Sequence, residues 1–118
     1  MTITTIDAAR GFAESWIAAW NAHDLEAILA HYDDAASSSS RVAARLLGNP
    51  EVNGKAALRA YFQRGLEAHP DLAFQLNDVL VGVASIVICF TTSGHRNAEV
   101  LEMSAAGKIT RVWAHQSA

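Results

Sequence analysis

Residues 54–82 read GKAALRAYFQRGLEAHPDLAFQLNDVLVG, and the spacing of their apolar side chains changes part of the way along. Between residues 55 and 68 apolar side chains recur every three or four positions, which predicts a helix with a buried face formed by Ala57, Leu58, Tyr61, Phe62 and Leu66. His69-Pro70 ends this helix, because proline disfavours a helical conformation in the residue before it. From Leu72 onward apolar and polar residues alternate, as in a strand. The stretch therefore predicts a helix that is followed by a sheet.

Two further helices are predicted before this stretch. From residue 6 to 21 the aromatic side chains of Phe12, Trp16 and Trp20 fall at intervals of four, so that one face of the first helix is aromatic. Asp24 is a suitable N-cap for a second helix, whose inner side we expect to carry Leu25, Ile28, Leu29 and Tyr32.

The segment DDAASSSSRVAARLLGNPEV, residues 33–52, separates the second helix from the third. Its serine content alone favours a linker, since such runs bury too little apolar area to offset the entropy lost on ordering them. Nothing else in the chain marks a domain boundary, and 118 residues form one domain by size. We therefore expect one domain over residues 1–118, in which this segment begins as an extended strand and continues as a variable loop.

Three strands follow the first extended run and are joined by tight turns. Residues 85–92 are apolar on both faces, whereas residues 97–103 and 109–115 alternate, as in a meander of hairpins. Three helices cannot hide all their apolar faces against one another while a long sheet lies bare. The prediction is an α+β fold in which a cone-shaped, curved antiparallel sheet wraps around three helices from the N-terminal half and encloses an interior.

Composition excludes several classes of function. Nine basic and twelve acidic side chains give a net charge of −3, so the chain has no basic face for nucleic acid. The apolar run of residues 79–90 is shorter than the roughly 20 residues that a membrane-spanning helix needs. Cys89 is the single cysteine and has no partner for an internal disulfide. With no signal peptide in the N-terminal residues, these features favour a cytoplasmic protein with no membrane partner.

Three pieces of the sequence resemble one family: WIAAWNAHDLEAILAHYDDAA at residues 16–36, the stretch at 54–82, and AEVLEMSAAGKITRVWAHQ at 98–116. They are similar to SnoaL-like proteins of the nuclear transport factor 2-like superfamily, the relatives of ketosteroid isomerases and polyketide cyclases. The resemblance implies a cystatin-like α+β barrel with an apolar pocket at its wide end, and a homodimer formed through the outer face of the sheet. Members of the superfamily include isomerases, cyclases, dehydratases, epoxide hydrolases and proteins that only bind, so the fold does not determine the function.

The isomerase pattern needs one carboxylate base and two hydrogen-bond donors beside the oxygen that gains charge. By resemblance, the position of the base falls on Ser39, with Ser38 and Ser40 within alignment error, and the position of the tyrosine donor falls on Trp16. The acid on the penultimate strand falls on Glu99, the one group of the three that this sequence retains. A serine hydroxyl is not a general base near neutral pH, which argues against the isomerase mechanism.

Glu99 shares strand parity with Leu101 and Met103, so these three side chains are expected on one face. If that face is the pocket, desolvation raises the pKa of Glu99. Glu99 otherwise reaches solvent or a cation such as Arg96. Tyr32 and His31, at the end of the second helix, are the other candidates for proton transfer.

The remaining predicted sites follow from parity and from the resemblance. The ligand pocket is expected to be lined by Trp16, Trp20, Ser39, Tyr61, Phe62, Leu101, Met103, Val112, Ala114 and Gln116. The convex face is expected to carry Arg111, Trp113 and His115 and to form the homodimer. The five histidines show no H-x-H or H-E-x-x-H spacing, so we expect neither a metal nor another cofactor.

Three hypotheses for function remain at this point. The first is binding of a small hydrophobic molecule in the conical pocket, with Glu99 as polar anchor. The second is an isomerase, cyclase or hydratase that acts on a small carbonyl compound through Glu99 with His31 or Tyr32. The third is a protein-binding module, which has a partner surface but no enclosed pocket.

Overall fold

The computed structural model describes residues 5–117. The helices in this part of the chain are α1 (Ile6–Asn21), α2 (Leu25–Leu29), α3 (Arg41–Leu47) and α4 (Lys55–Ala68). The strands are β1 (Tyr32–Ser39), β2 (Glu51–Asn53), β3 (Gln75–Val81), β4 (Ser85–Thr92), β5 (His95–Met103) and β6 (Ile109–Gln116). The predicted α+β class is confirmed. The predicted first helix is α1, the predicted helix over residues 55–68 is α4, and the four predicted C-terminal strands are β3 to β6.

The strands form one curved sheet in the order β2-β1-β6-β5-β4-β3. Strands β3 to β6 are antiparallel neighbours, as the hairpin signals predict. Strand β1 differs from the prediction because it lies parallel to β6, while the short β2 pairs with it in the antiparallel sense. The chain between β1 and β6 includes two helices and four strands, so it is long enough for the parallel pairing that a short hairpin cannot make.

The second helix ends earlier than predicted, because Tyr32 belongs to β1. Asp24 caps α2 as predicted, since its carboxylate accepts a hydrogen bond of 3.1 Å from the amide of Ala27. The helix then ends at Leu29, and Tyr32 is the first residue of β1 and not the last turn of a helix. Tyr32 therefore enters the core from the sheet.

The serine-rich segment is part of the fold and is not a linker. Its first half is β1, as expected, but the second half forms α3 and β2 where a variable loop was predicted. Ser40 caps α3 by accepting a 2.9 Å hydrogen bond from the amide of Ala43. Gly48 ends the helix with a φ of 74°, a left-handed conformation that favours glycine. A seven-residue helix carries too short a repeat to stand out from a loop in the sequence.

The aromatic face of α1 lies against the sheet and closes the narrow end of the cone. Trp16 is fully buried, and its ring lies 5.8 Å from Phe74 and 5.5 Å from Phe90 between centroids. Residues 86, 88 and 90 of β4 turn inward beneath it, so the core sits between α1, α4 and the concave face. Within residues 5–117, the structure contains no helix with the length and apolar character needed to span a membrane.

Candidate ligand cavity

A cavity of about 570 Å³ lies between the sheet and the helices, within the range of small-molecule sites. Its apolar wall comes from β-strands on one side and from α1 and α4 on the other, and includes Trp20, Phe62, Leu72, Phe74, Phe90, Val112 and Ala114. Its polar groups are Tyr32, Ser38, Ser40, Tyr61, Thr92, Asn97 and Glu99. The result is an aromatic chamber with a few separated polar groups.

Glu99 points into this chamber from the middle of β5. Its strand neighbours are Ile88 and Ala114, and Ala114 also lines the cavity, so of the two orientations that the sequence leaves open the structure has the concave one. Within the described part of the chain, the Glu99 carboxyl makes no hydrogen bond or ion pair, and the alternative contact with Arg96 does not form. Burial raises the pKa of Glu99 to about 7, because the apolar surroundings disfavour the charged form.

Tyr32 lines the same cavity as Glu99 and accepts a hydrogen bond from an indole. The Nε1 of Trp16 donates a 3.1 Å hydrogen bond to the Tyr32 hydroxyl oxygen. Burial, and after it the charge of Glu99, raise the pKa of Tyr32 far above its ordinary value, so Tyr32 stays a neutral phenol. Because the phenol oxygen accepts from Trp16, the Tyr32 hydrogen is free to be donated to another acceptor.

A second indole also faces the Tyr32 oxygen. The Trp20 Nε1 group is buried and has no partner of good hydrogen-bond geometry among residues 5–117. Its nearness to the hydroxyl nevertheless acts to lower the Tyr32 pKa, although this is a minor effect beside burial. With one indole N–H bonded to the phenol oxygen and a second one nearby, the phenol hydrogen points elsewhere, and Tyr32 lines the cavity.

The serine run places alternate side chains on opposite faces of β1. Ser38 and Ser40 are 5% and 7% exposed and line the cavity, whereas Ser39 lies on the outer face. There Arg111, and after it the Ser39 hydroxyl, lower the pKa of Glu51. The predicted place of Ser39 in the pocket is therefore off by one residue. Neither serine at the cavity supplies a carboxylate, so the general base of the isomerase pattern has no counterpart on β1.

The structure brings most of the other predicted pocket residues together. Trp20, Tyr61, Phe62, Val112, Ala114 and Gln116 line the cavity, with Glu99 and Tyr32. Trp16, Leu101 and Met103 do not, because they are packed in the core with exposures of 0%, 0% and 4%. Leu101 and Met103 share the face of Glu99, as predicted. At their positions along the strand, however, this face packs against other core side chains and no cavity remains.

His31 is the predicted candidate that the fold places elsewhere. Its Nδ1 lies 2.8 Å from the carbonyl of Ala27, and its Nε2 lies 2.8 Å from the hydroxyl of Ser15. Since a carbonyl only accepts, Nδ1 carries the hydrogen and Ser15 donates to Nε2. The ring also packs edge-on against Phe12, with 5.2 Å between centroids. His31 therefore fastens α1 to the end of α2 and is not among the residues that line the cavity.

Several lining residues were missed by sequence reasoning. Phe90 is signalled by its parity with Ile88, and Asn97 by its parity with Glu99, so both were accessible from the strand pattern. Val42 and Arg45 were not, since they belong to the unpredicted α3. Phe74 falls just before β3, where the Asn21 side chain bonds its amide and carbonyl at 2.6 and 2.9 Å.

The exposed lining residues define the mouth of the cavity. Those with titratable side chains are Arg45, His69, Asp71, His95 and His115. In the described ranges, no three His, Cys, Asp or Glu side chains are grouped as a metal site would require. His115, which was expected only on the convex face, also borders this mouth.

The convex face carries an apolar row that crosses four strands. Leu80, Val87, Val100 and Trp113 are direct neighbours on β3, β4, β5 and β6. Trp113 is 39% exposed, and the Arg111 guanidinium lies 5.2 Å from its ring centroid. Arg111 also bonds Glu51 at 2.9 Å and Ser37 at 2.8 Å. We call the four apolar residues the convex row.

Comparison with known proteins identifies a family and solved structures with the same fold. The model of the SnoaL-like domain family matches residues 13–115. A SnoaL-like protein of unknown function from Burkholderia thailandensis E264 is 34% identical, with a TM-score of 0.92 over 97% of this chain and 98% of that one. No curated protein matches the sequence.

Two more distant solved structures share the fold alone. One is a protein of unknown function with a cystatin-like fold from Methylobium petroleophilum PM1, at 17% identity and a TM-score of 0.79, covering 98% of this chain and 79% of that chain. The other is a proposed isomerase of the SnoaL-like family from Agrobacterium tumefaciens C58, at 15% identity and a TM-score of 0.75, covering 93% and 97%.

Proposed function

This chain belongs to the SnoaL-like domain family, and from that premise and the chemistry of its cavity we propose that it binds a small hydrophobic molecule carrying one carbonyl oxygen. The observation that carries the proposal is Glu99, a carboxyl group without a protein partner among the described residues, set in an aromatic chamber. A half-buried carboxyl group that faces an apolar chamber loses part of its hydration, and a ligand that bonds it recovers part of that cost.

The polar groups beside Glu99 favour a carbonyl oxygen as the recognised group. The Tyr32 hydrogen is free to be donated, because the oxygen of that phenol accepts from Trp16. With a pKa of about 7, Glu99 is largely protonated in mildly acidic solution and is then a second donor. Two donors in the lining of one cavity match the acceptor capacity of a carbonyl oxygen, while the aromatic wall takes up the apolar remainder.

A direct binding experiment tests this function. Phenyl ketones of increasing chain length are titrated against the protein, with tryptophan fluorescence as the readout because Trp20 lines the cavity. We expect saturable binding that weakens about tenfold in Glu99→Gln and Tyr32→Phe. Glu102→Gln is the matched control, since Glu102 lies on the same strand but is exposed on the convex face. Equal affinities in all four proteins would remove the assigned polar anchor.

A second candidate function is proton transfer at the carbon next to the carbonyl group. The pKa of Glu99, near 7, favours it, because a group that titrates near the working pH can both take and return a proton. In this reaction the ionised Glu99 takes a proton from that carbon, Tyr32 donates to the oxygen that gains charge, and Glu99 returns the proton. The absent second carboxylate weighs against fast turnover.

Deuterium exchange separates catalysis from binding. A ketone that binds is incubated with the protein in D₂O, and loss of its α-proton signal is followed by NMR. Catalysis predicts exchange above the buffer rate that disappears in Glu99→Gln and persists in Glu102→Gln. Exchange at the buffer rate, at saturating ketone, leaves the protein as a binder only.

The convex row supports a further part of the proposal, that two copies associate in the cytoplasm through this face. Its four side chains form a continuous apolar strip, flanked by the neighbouring pair Glu102 and Arg111 on β5 and β6. A strip of this kind is self-complementary under two-fold symmetry, with opposite charges beside it to fix orientation.

A further inference from the structure

The mouth of the cavity holds a cation whose partner is missing. Arg45 lies in the last turn of α3 and lines the cavity. Its side chain takes part in none of the ion pairs or hydrogen bonds found between residues 5 and 117. Arg111, by contrast, is paired with Glu51 on the convex face. An arginine at the rim of an apolar chamber is therefore available to an anionic group from outside.

Tyr61 connects this cation with the interior. The nearby negative charge of Glu99 acts to raise the Tyr61 pKa and the positive charge of Arg45 acts to lower it, both as smaller effects than burial and the Ser40 hydrogen bond. Tyr61 thus lies within the electrostatic reach of both groups. Glu99, Tyr61 and Arg45 all line the same cavity, so one ligand that fills it has all three groups in its wall.

A hydroxyl pair beside Arg45 adds a neutral donor. The Ser40 and Tyr61 oxygens are 3.0 Å apart, and Ser40 Oγ also accepts from the amide of Ala43 at 2.9 Å. Whichever hydroxyl donates within the pair, one hydroxyl hydrogen is left over for a further acceptor. A guanidinium and a hydroxyl hydrogen in the lining of the same cavity fit a carboxylate, which only accepts and bonds charged donors strongly.

We propose that the ligand is an amphipathic keto acid, whose carbonyl lies at Tyr32 and Glu99, whose apolar body fills the aromatic chamber and whose carboxylate binds Arg45 with the Ser40–Tyr61 pair. This inference rests on the proposed function and adds the acidic end of the ligand. The other charged side chain at the mouth, Asp71, lies beyond the end of α4 and forms no ion pair with Arg45.

The test compares one acid with its ester. Benzoylpropionate has a phenyl ketone at one end and a carboxylate at the other, and its methyl ester differs only by loss of the charge. At low ionic strength we expect the acid to bind about tenfold more tightly than the ester, as a charge-assisted contact allows. Arg45→Gln removes this preference without changing the affinity for the ester. Arg64→Gln, an exposed arginine on α4 that does not line the cavity, keeps the preference.

Each outcome bears on the inference in a defined way. If the ester binds as well as the acid, or if Arg45→Gln keeps the preference, the carboxylate site is wrong while the proposed binding function stands. If neither compound binds, both the inference and the proposed function are overturned. If acid binding is lost in both Arg45→Gln and Arg64→Gln, the carboxylate site is overturned as well. The preference for the acid would then depend on the net charge of the protein and not on Arg45.

Discussion

Trp16 and Tyr32 are joined by a hydrogen bond between two fully enclosed side chains, one from α1 and one from β1. Their exposures are 0% and 2%, and the bond satisfies the indole N–H and fixes the phenol oxygen at the same time. The core and the cavity therefore share this contact. Changes to it are expected to alter both stability and binding.

Tyr32→Phe tests the structural half of that statement. The substitution leaves the Trp16 N–H buried without an acceptor, and we expect a loss of about 1–3 kcal/mol in the free energy of unfolding. Urea denaturation measures it. Tyr61→Phe is the control, since Ser40 keeps its bond to the Ala43 amide, and we expect a loss below about 1 kcal/mol. Equal losses would contradict the importance of the indole bond.

Glu99 makes stability depend on pH in a defined direction. Its pKa is about 7 in the folded protein against an ordinary value of 4.5, so between these values the folded state binds more protons than the unfolded state. Stability from this group is present in acid and falls as the pH rises towards and through 7, by at most about 3 kcal/mol.

Glu99→Gln isolates this effect because glutamine does not titrate. The difference in unfolding free energy between the wild type and Glu99→Gln is expected to grow between about pH 5 and about pH 8, with the wild type the less stable at the higher pH. Glu102→Gln is expected to follow the wild type. Parallel curves for wild type and Glu99→Gln would mean that Glu99 is solvated.

A substitution at Leu101 tests whether this residue belongs to the core or to the cavity, since it lies on the same strand face as Glu99. It is fully buried, and Leu101→Ala is expected to cost about 2–5 kcal/mol without changing ketone affinity at temperatures where the variant is folded. Leu80→Ala, at a site that is 51% exposed, is expected to cost under about 1 kcal/mol. A weakened affinity in Leu101→Ala at full folding would place Leu101 in the site after all.

The features that could be predicted from the sequence depend on interactions between residues close together in the chain, and those that could not depend on interactions between residues far apart. That Glu99 shares a face with Leu101 and Met103 could be read from the sequence because strand parity is local, whereas whether this face meets a cavity or solvent could not. Ser39 was misplaced by one position because nothing in a run of four identical serines distinguishes the inner from the outer face. The parallel pairing of Ser38 with Val112 joins residues far apart in the chain, and no local pattern encodes it.

The depth of the cavity floor was also beyond local reasoning. Leu101 and Met103 have the correct face, but how far the cone is filled depends on α1, whose Trp16 stacks on Phe74 at 5.8 Å. His31 illustrates the same point, since its role follows from Ser15 on another helix. Periodicity determines which side of an element is buried, whereas contacts between elements determine whether that side meets a core or a cavity.

Trp113 tests the association of two copies through the convex row. Trp113→Glu puts a charge at the β6 end of the strip, next to Val100, and we expect the mass measured by sedimentation equilibrium at micromolar concentration to fall from twice that of the chain to that of the chain. Val83→Glu is the control, because Val83 is 87% exposed in the turn between β3 and β4. It adds the same charge outside the row, so it is expected to leave the mass unchanged. A wild type with the mass of one chain at this concentration would contradict the interface directly, whatever the variants do.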